Sequence, residues 1–227
     1  NYFTELALLK AAGLYYNDQN YKQSLAYFDR LATLSTSGKN LPDALTGIMR
    51  CQFKLANYQA CIDAAIKILA LEKVPDILKR ETNYRLGVSY YNIGNSDKAF
   101  PVLGKLSADT NSAEGAEAKY LVAQILFDKQ KLKESEKEIM DFIDKNSPHQ
   151  FWLAKSFLLL SDIYLKNGDE FQAKHTLKSV EENYPDKEDV ILEMTRQKLQ
   201  QIEANEATQT KNQNKPLEIN ISGEKKK

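Results

Sequence analysis

Small and bulky apolar residues recur along this chain at helical spacing, and they do so five times in one register. In "FQAKHTLKSV", Ala173, Leu177 and Val180 stand four and three residues apart, which puts them on one helix face. The same triple, always led by a small residue, returns in "GNSDKAFPVLGKL" (Ala99, Leu103, Leu106) and "NYQACIDAAIKIL" (Cys61, Ala65, Ile68). It returns again in "NYKQSLAYFDRL" (Ser24, Phe28, Leu31) and "KLKESEKEIMDF" (Ser135, Ile139, Phe142). The leading residues Ser24, Cys61, Ala99, Ser135 and Ala173 are 37, 38, 36 and 38 residues apart. Twelve residues before each lie Ala12, Met49, Gly87, Ala123 and Ser161, and three residues after those come Tyr15, Gln52, Tyr90, Leu126 and Tyr164. Small residues on two successive helices let their backbones approach, as an antiparallel hairpin requires at its crossing, and bulky amphipathic neighbours fill the space beside it. The period therefore predicts five stacked helix hairpins, each burying its apolar face only against its neighbours.

Segments rich in Ser, Asn, Gly, Asp and Pro separate the hairpins: "STSGKNLPD", "LEKVPD", "SADTNSAEGA" and "NSPHQF". These read as loops that stop one helix and cap the next. The repeats fall at about 5–40, 42–74, 76–111, 113–147 and 150–185. A stacked array needs an end piece, and "DKEDVILEMTRQKLQQIEA" supplies a closing helix over about 187–205. Asp186 or Asp189 caps it, and Ile191, Met194, Lys198 or Leu199, and Ile202 form its apolar stripe. Beyond it, 206–227 reads as a disordered tail with too few apolar groups to offset the entropy of ordering.

"YRLGVSYYNIGNSDKAF" (Leu86, Gly87, Tyr90, Ala99) and "LLLSDIYLKNGDEFQAKHTLKSVEENYP" (Leu160, Tyr164, Ala173, Pro185) resemble the tetratricopeptide repeat: a Leu-Gly pair, a Tyr, a small residue and a closing Pro. The resemblance covers about Glu5 to Pro185. It departs from the family in a longer period and in its first position, held by Leu8, Leu45, Asn83, Lys119 and Phe157. It implies an all-α, right-handed α-solenoid of about five hairpins plus a C-terminal capping helix. It also implies a groove lined by the first helix of each repeat that holds an extended peptide or a partner helix. Carried over residue by residue, the lining is Tyr16 and Asn17, then Arg50, Phe53 and Lys54, then Tyr84, Val88, Tyr91 and Asn92. Tyr120, Gln124 and Phe127 follow from the fourth repeat and Lys155, Asp162 and Lys166 from the fifth. Tyr84, Tyr91, Tyr120 and Phe127 form an aromatic group suited to protein recognition. The family's Lys-Asn clamp for peptide carboxylates does not match, Asn17 and Asn92 being isolated members of it.

Charge narrows the partners. Lys plus Arg (31) equals Asp plus Glu (31), so no global field draws the chain to nucleic acid or an anionic membrane. The apolar runs "FLLL" and "AAIKILAL" are too short to span a bilayer. The long loops and the stretch from Phe151 to Pro185 resemble tetratricopeptide proteins of the bacterial envelope, which implies a periplasmic or outer-membrane-associated setting. The chain begins with Asn1, and Leu6, Leu8 and Leu9 follow at once, so the reading is of the C-terminal part of a longer protein with further repeats upstream.

No catalytic or metal site emerges. Cys51 and Cys61 match neither a zinc nor a redox spacing; their apolar helical setting suits free buried thiols, the alternative being a disulfide. His149 and His175 have no ligand cluster around them, and the carboxylate runs Glu136–Glu138, Glu181–Glu182 and Asp186–Asp189 read as solvated faces or helix starts. No phosphate loop or strained nucleophile turn is present. The expectation is a non-enzymatic scaffold for a protein or peptide partner, without cofactor. The competing readings are an architectural or self-associating segment and an accessory domain of a larger enzyme. If spacing rather than residue chemistry governs "GDEFQAKHTLKSVEENYP", Ala173→Trp destabilises the last hairpin by roughly 1–3 kcal/mol of overpacking in urea unfolding, while His175→Ala leaves stability unchanged.

Overall fold

The computed structural model describes residues 2–35, 39–186 and 189–213. The described residues form helices in pairs: α1 (Tyr2–Asn17) with α2 (Tyr21–Leu34), α3 (Leu41–Lys54) with α4 (Tyr58–Leu69), and α5 (Asp76–Asn92) with α6 (Ser96–Leu106). α7 (Ala113–Asp128) with α8 (Leu132–Asp144) and α9 (Gln150–Lys166) with α10 (Glu170–Asn183) follow, and α11 (Val190–Gln213) stands last. The chain divides into two compact units, Asn1–Leu153 and Ala154–Lys227, and the division falls inside α9. In the first unit each helix from α1 to α8 packs on the next, and the first helices of neighbouring pairs, α1 with α3, α3 with α5 and α5 with α7, also touch.

Each pair is set by its crossing. Ser24, Cys61, Ala99, Ser135 and Ala173 are all fully buried, and so are their counterparts Ala12, Met49, Ala123 and Ser161. In two pairs the crossing is bonded as well as packed. Ser24 Oγ donates to the Ala12 carbonyl and Ser135 Oγ to the Ala123 carbonyl, both at 2.8 Å. Each such buried bond contributes about 0.5–1.5 kcal/mol net and ties the same two positions twelve residues apart. At Gly87 the approach is close: a Cβ there would stand 2.7 Å from the Leu103 side chain, so a side chain at Gly87 would force Leu103 of α6 to shift.

The turns inside the pairs repeat as strictly as the crossings. Gln19, Ala56, Gly94, Gln130 and Gly168 have φ of 59°, 56°, 77°, 60° and 79°, each one residue before the start of the second helix's cap. The next residue, Asn20, Asn57, Asn95, Lys131 or Asp169, donates its N–H back to the carbonyl of Tyr15, Gln52, Tyr90, Leu126 or Tyr164 at 2.8–2.9 Å. This six-to-one bond closes the first helix, and the residue that makes it is also the N-cap of the second. Asn20, Asn95 and Asp169 complete the cap with a side-chain oxygen on the N–H three residues on, at 3.3, 3.2 and 3.0 Å. Lys131 cannot, and Asn57 turns its amide to Gln52 instead.

In the second unit the core joins Ala154 and Leu158 of α9, Ala173, Leu177 and Val180 of α10, and Ile191, Leu192, Leu199 and Ile202 of α11. Of the stripe expected on the closing helix, Ile191, Leu199 and Ile202 are buried and Met194 is half-buried, and Leu192 and Thr195 are buried beside them. Asp189 begins α11, its Oδ1 accepting from the Ile191 N–H at 3.4 Å and its Oδ2 from the Tyr184 hydroxyl. α11 does not stop near residue 205; it runs to Gln213, through eight residues (206–213) expected as tail. "EATQTKNQ" contains no Gly or Pro, so the helix propagates, and Lys174 of α10 secures it by bonding Glu206 at 2.8 Å. The expected start at Lys187 and positions 214–227 of the expected tail lie outside the described residues. Both cysteines are free and fully buried, and burial pushes each thiol up, away from reactive thiolate.

These turns carry avoidable cost, because only Gly94 and Gly168 suit positive φ without strain. Ala56→Gly should stabilise by about 0.5 kcal/mol, the relief of left-handed strain exceeding the entropy added to the unfolded chain, and Gly94→Ala should destabilise by about 1 kcal/mol. Lys131→Asp should add about 1 kcal/mol by supplying the missing cap. Urea midpoints at constant slope measure all three.

Candidate functional site

The residues expected to line the first-helix surface of the first unit form a lateral chain of contacts from one repeat to the next. Arg50 on α3 grips Glu81 on α5 with two prongs, Nε to Oε1 at 2.7 Å and Nη2 to Oε2 at 2.5 Å. Arg85, one turn beyond Glu81, donates to the same Oε1 at 3.0 Å and lies 4.9 Å over the Phe53 ring. Phe53 meets the Tyr84 ring at 6.1 Å, and the Tyr84 hydroxyl donates to Glu117 on α7 at 2.6 Å. Tyr120 then packs 5.6 Å from the Trp152 ring in the first turn of α9, while its hydroxyl donates to Gln124 and Gln124 to Asp128, at 3.0 and 2.9 Å. Arg50, Phe53 and Tyr84 are therefore tied, half-buried, into one set of contacts through Glu81, Arg85 and Glu117, while Tyr120 and Gln124, also half-buried, are held by each other and by Asp128 and Trp152.

The remaining residues are placed differently. Tyr16 is half-buried with its ring 5.3 Å from Tyr21, and Asn17 and Lys54 are exposed. Tyr91 and Phe127 are half-buried; burial and the Asp128 charge push the Tyr91 phenol up. Asn92 is exposed and donates to the Val88 carbonyl of its own helix at 2.8 Å. Val88 cannot line a surface, because it is buried in the core with Leu103 and Leu121. In the second unit Asp162 is bonded by Lys198 at 2.5 Å, and Lys155 is half-buried and Lys166 exposed.

Glu81, Arg85, Glu117 and Trp152 complete this surface and were not singled out by the sequence reading. The available signal was complementary residues a little under one period apart, 31 residues from Arg50 to Glu81 and 33 from Tyr84 to Glu117. Acidic residues taken as solvated also have partners. Glu138 and Asp141 each bond Lys119 Nζ at 2.5 Å, and Glu181 accepts from Arg196 at 3.1 Å. Lys119 itself is only 5% exposed.

Between α1 and α3 the surface opens into a cleft of about 400 Å³. Leu9, Phe28, Gly13 and Gly47 form its apolar part, and Tyr16, Asn17, Asp43, Thr46 and Arg50 its polar part. Phe28 comes from α2 and lies directly behind Gly47, where a Cβ would fall 2.4 Å from the ring.

His149 holds a loop, its Nε2 3.0 Å from the Asn111 carbonyl, and His175 is exposed on α10. Among the described residues no group of three or more His, Cys, Asp or Glu could hold a metal ion. No helix of the described residues is long and apolar enough to cross a membrane.

Electrostatics tie this surface to folding. Burial alone would raise the Glu81 carboxyl, but the Arg50 hydrogen bond with the charges of Arg50 and Arg85 outweighs it and holds the group below the usual range. A lowered folded value means that the stability from Glu81 is complete above the unfolded value and is lost as pH falls through the folded one. Parent stability should therefore fall more steeply than that of Glu81→Gln below about pH 4.5, read by urea unfolding from pH 6 to 3. Parallel curves would show that the pair does not couple to folding.

Comparisons with known proteins agree with this architecture. The tetratricopeptide repeat family model matches residues 81–109 and 150–187. No curated protein matches the chain. Among solved structures, MamA (residue 41 to the end) from Desulfovibrio magneticus RS-1 is similar with TM-score 0.66 and 19% identity, over 82% of this chain and 98% of that one. YrrB, described as a tetratricopeptide protein with an unusual peptide-binding site, is similar with TM-score 0.61 and 18% identity, over 79% of this chain and 86% of its own. A thermophilic tetratricopeptide protein of Thermus thermophilus is similar with TM-score 0.51 and 16% identity, over 87% of this chain and 98% of that one. Residues 81–109 and 150–187 thus carry tetratricopeptide repeats, and the described chain has the all-α fold of a tetratricopeptide-repeat array.

Proposed function

We propose that this chain is a non-enzymatic scaffold that binds an extended segment of a partner protein along its first helices α1, α3, α5 and α7. The observation that carries this reading is the set of aromatic and charged side chains Arg50, Phe53, Tyr84, Tyr91 and Tyr120, half-buried on those helices, of which Arg50, Phe53, Tyr84 and Tyr120 are held in place by contacts to the next repeat. Side chains ordered in this way lose little rotamer freedom when a partner arrives, so contact area converts to affinity with less entropic loss. The likeness to YrrB, whose description names a peptide-binding site, is consistent with the same use of the fold. The resemblance of the loops and of the last repeat to envelope proteins supports placing the scaffold in the periplasm or at the outer membrane, as part of a longer protein.

Tyr84→Ala with Tyr91→Ala should abolish capture of a specific partner from envelope extract while circular dichroism shows the helices retained. Undiminished capture by the double variant would move the binding face elsewhere.

A further inference from the structure

The repeat register exposes a gap in the lateral chain. Arg50 stands one residue after the crossing residue Met49, and its partner Glu81 stands six before the next crossing residue, Gly87. One repeat earlier the same two registers hold Gly13, one after Ala12, and Asp43, six before Met49. The acid is kept and the base is missing. Glu81 receives two prongs from Arg50, whereas Asp43 is exposed and makes no hydrogen bond or ion pair among the described residues.

The space the missing side chain would occupy is the cleft itself, since Gly13, Asp43 and Gly47 all line it. Nothing in the fold calls for glycine at position 13. It lies inside α1 with no positive φ, and a Cβ built there meets nothing within 4 Å. Glycine inside a helix costs about 1 kcal/mol against alanine, so the position is unfavourable for α1 and useful only for the opening it leaves. The volume of about 400 Å³ admits a long side chain with adjoining backbone. Leu9 and Phe28 offer apolar surface for its stem, and Asp43 a carboxylate for its head. Arg50, also on the rim, has its guanidinium committed to Glu81 by two hydrogen bonds, and the Asp43 charge reaches it without a hydrogen bond.

Resting on the reading that the first helices bind a protein segment, we propose that the cleft between α1 and α3 is a pocket for a basic side chain of that segment, arginine above all. The arginine enters past Gly13 and pairs with Asp43 as Arg50 pairs with Glu81. Arginine fits better than lysine because a planar fork can engage both carboxylate oxygens, as Arg50 does.

The test is titration of the isotope-labelled 227-residue chain with the peptide acetyl-Ala-Leu-Ala-Arg-Ala-Leu-Ala-amide and its citrulline analogue, a neutral isostere, followed by amide NMR. The arginine peptide should shift the Gly13, Asp43 and Gly47 amides and bind up to about five-fold more tightly than the citrulline peptide, the size of an exposed charge pair. Asp43→Asn should erase that difference. Gly13→Arg should fill the cleft from within, abolish the shifts and leave the melting temperature equal or higher. Equal binding of the two peptides, unimpaired binding to Gly13→Arg, or no shift at the cleft with millimolar peptide would overturn the proposal. Shifts confined to amides of α5 and α7 would overturn it while leaving the broader groove reading in place.

Discussion

The close crossing of the two helices within each pair is the constraint on which the rest of the architecture depends. Two helix backbones can approach only where side chains are small, and here Ser24, Ala99, Ser135 and Ala173 on the second helices and Ala12, Gly87, Ala123 and Ser161 on the first are all buried. That contact fixes a twelve-residue offset between the helices, and the offset leaves only a three-residue turn such as Asp18–Asn20 to reverse the chain. So short a reversal needs a left-handed residue, which is why Gln19, Ala56 and Gln130 accept positive φ although none is glycine. The strain at the turn follows from the packing at the crossing.

Position twelve residues back was readable in the sequence because it is local: both helices of a pair lie within one repeat and share one short connection. The asparagine and aspartate caps at Asn20, Asn95 and Asp169 are local in the same sense, being turn residues between two apolar runs. Contacts between repeats were not. Whether Arg50 meets Glu81 or solvent depends on the rotation of α3 against α5, which an extra loop residue alters and no local pattern reports. The carry-over from the family therefore selected Arg50, Phe53 and Tyr84 but missed Glu81, Arg85 and Glu117, and it placed Val88 on the surface when it faces the core.

The end of α11 and the division inside α9 were hidden for other reasons. Low apolar content after Ala204 signals disorder only for an isolated segment. A segment continuous with a packed helix needs no new nucleus, and the Lys174 contact to Glu206 holds it further. "FWLAKSFLLLSDIYLK" is one unbroken helical pattern, so nothing in it marks the change of compact unit after Leu153.

Lys119 shows how far the crossing geometry governs residue chemistry. It occupies the register held by Leu8, Leu45 and Phe157 in other repeats, and like Leu8 and Leu45 it is buried, although it carries a charge. An unpaired ammonium there would be costly, yet the facing turn of α8 presents Glu138 and Asp141, each at 2.5 Å from Nζ. The Asp141 carboxyl is held below the ordinary aspartate range, first by the Lys119 hydrogen bond. Both acids lie on α8, three residues apart on one face, after the crossing residue Ser135. The crossing thus delivers α8 to Lys119 in the one orientation that compensates it. A lysine in a position that packing reserves for apolar groups is tolerated because the same packing supplies its counter-ions.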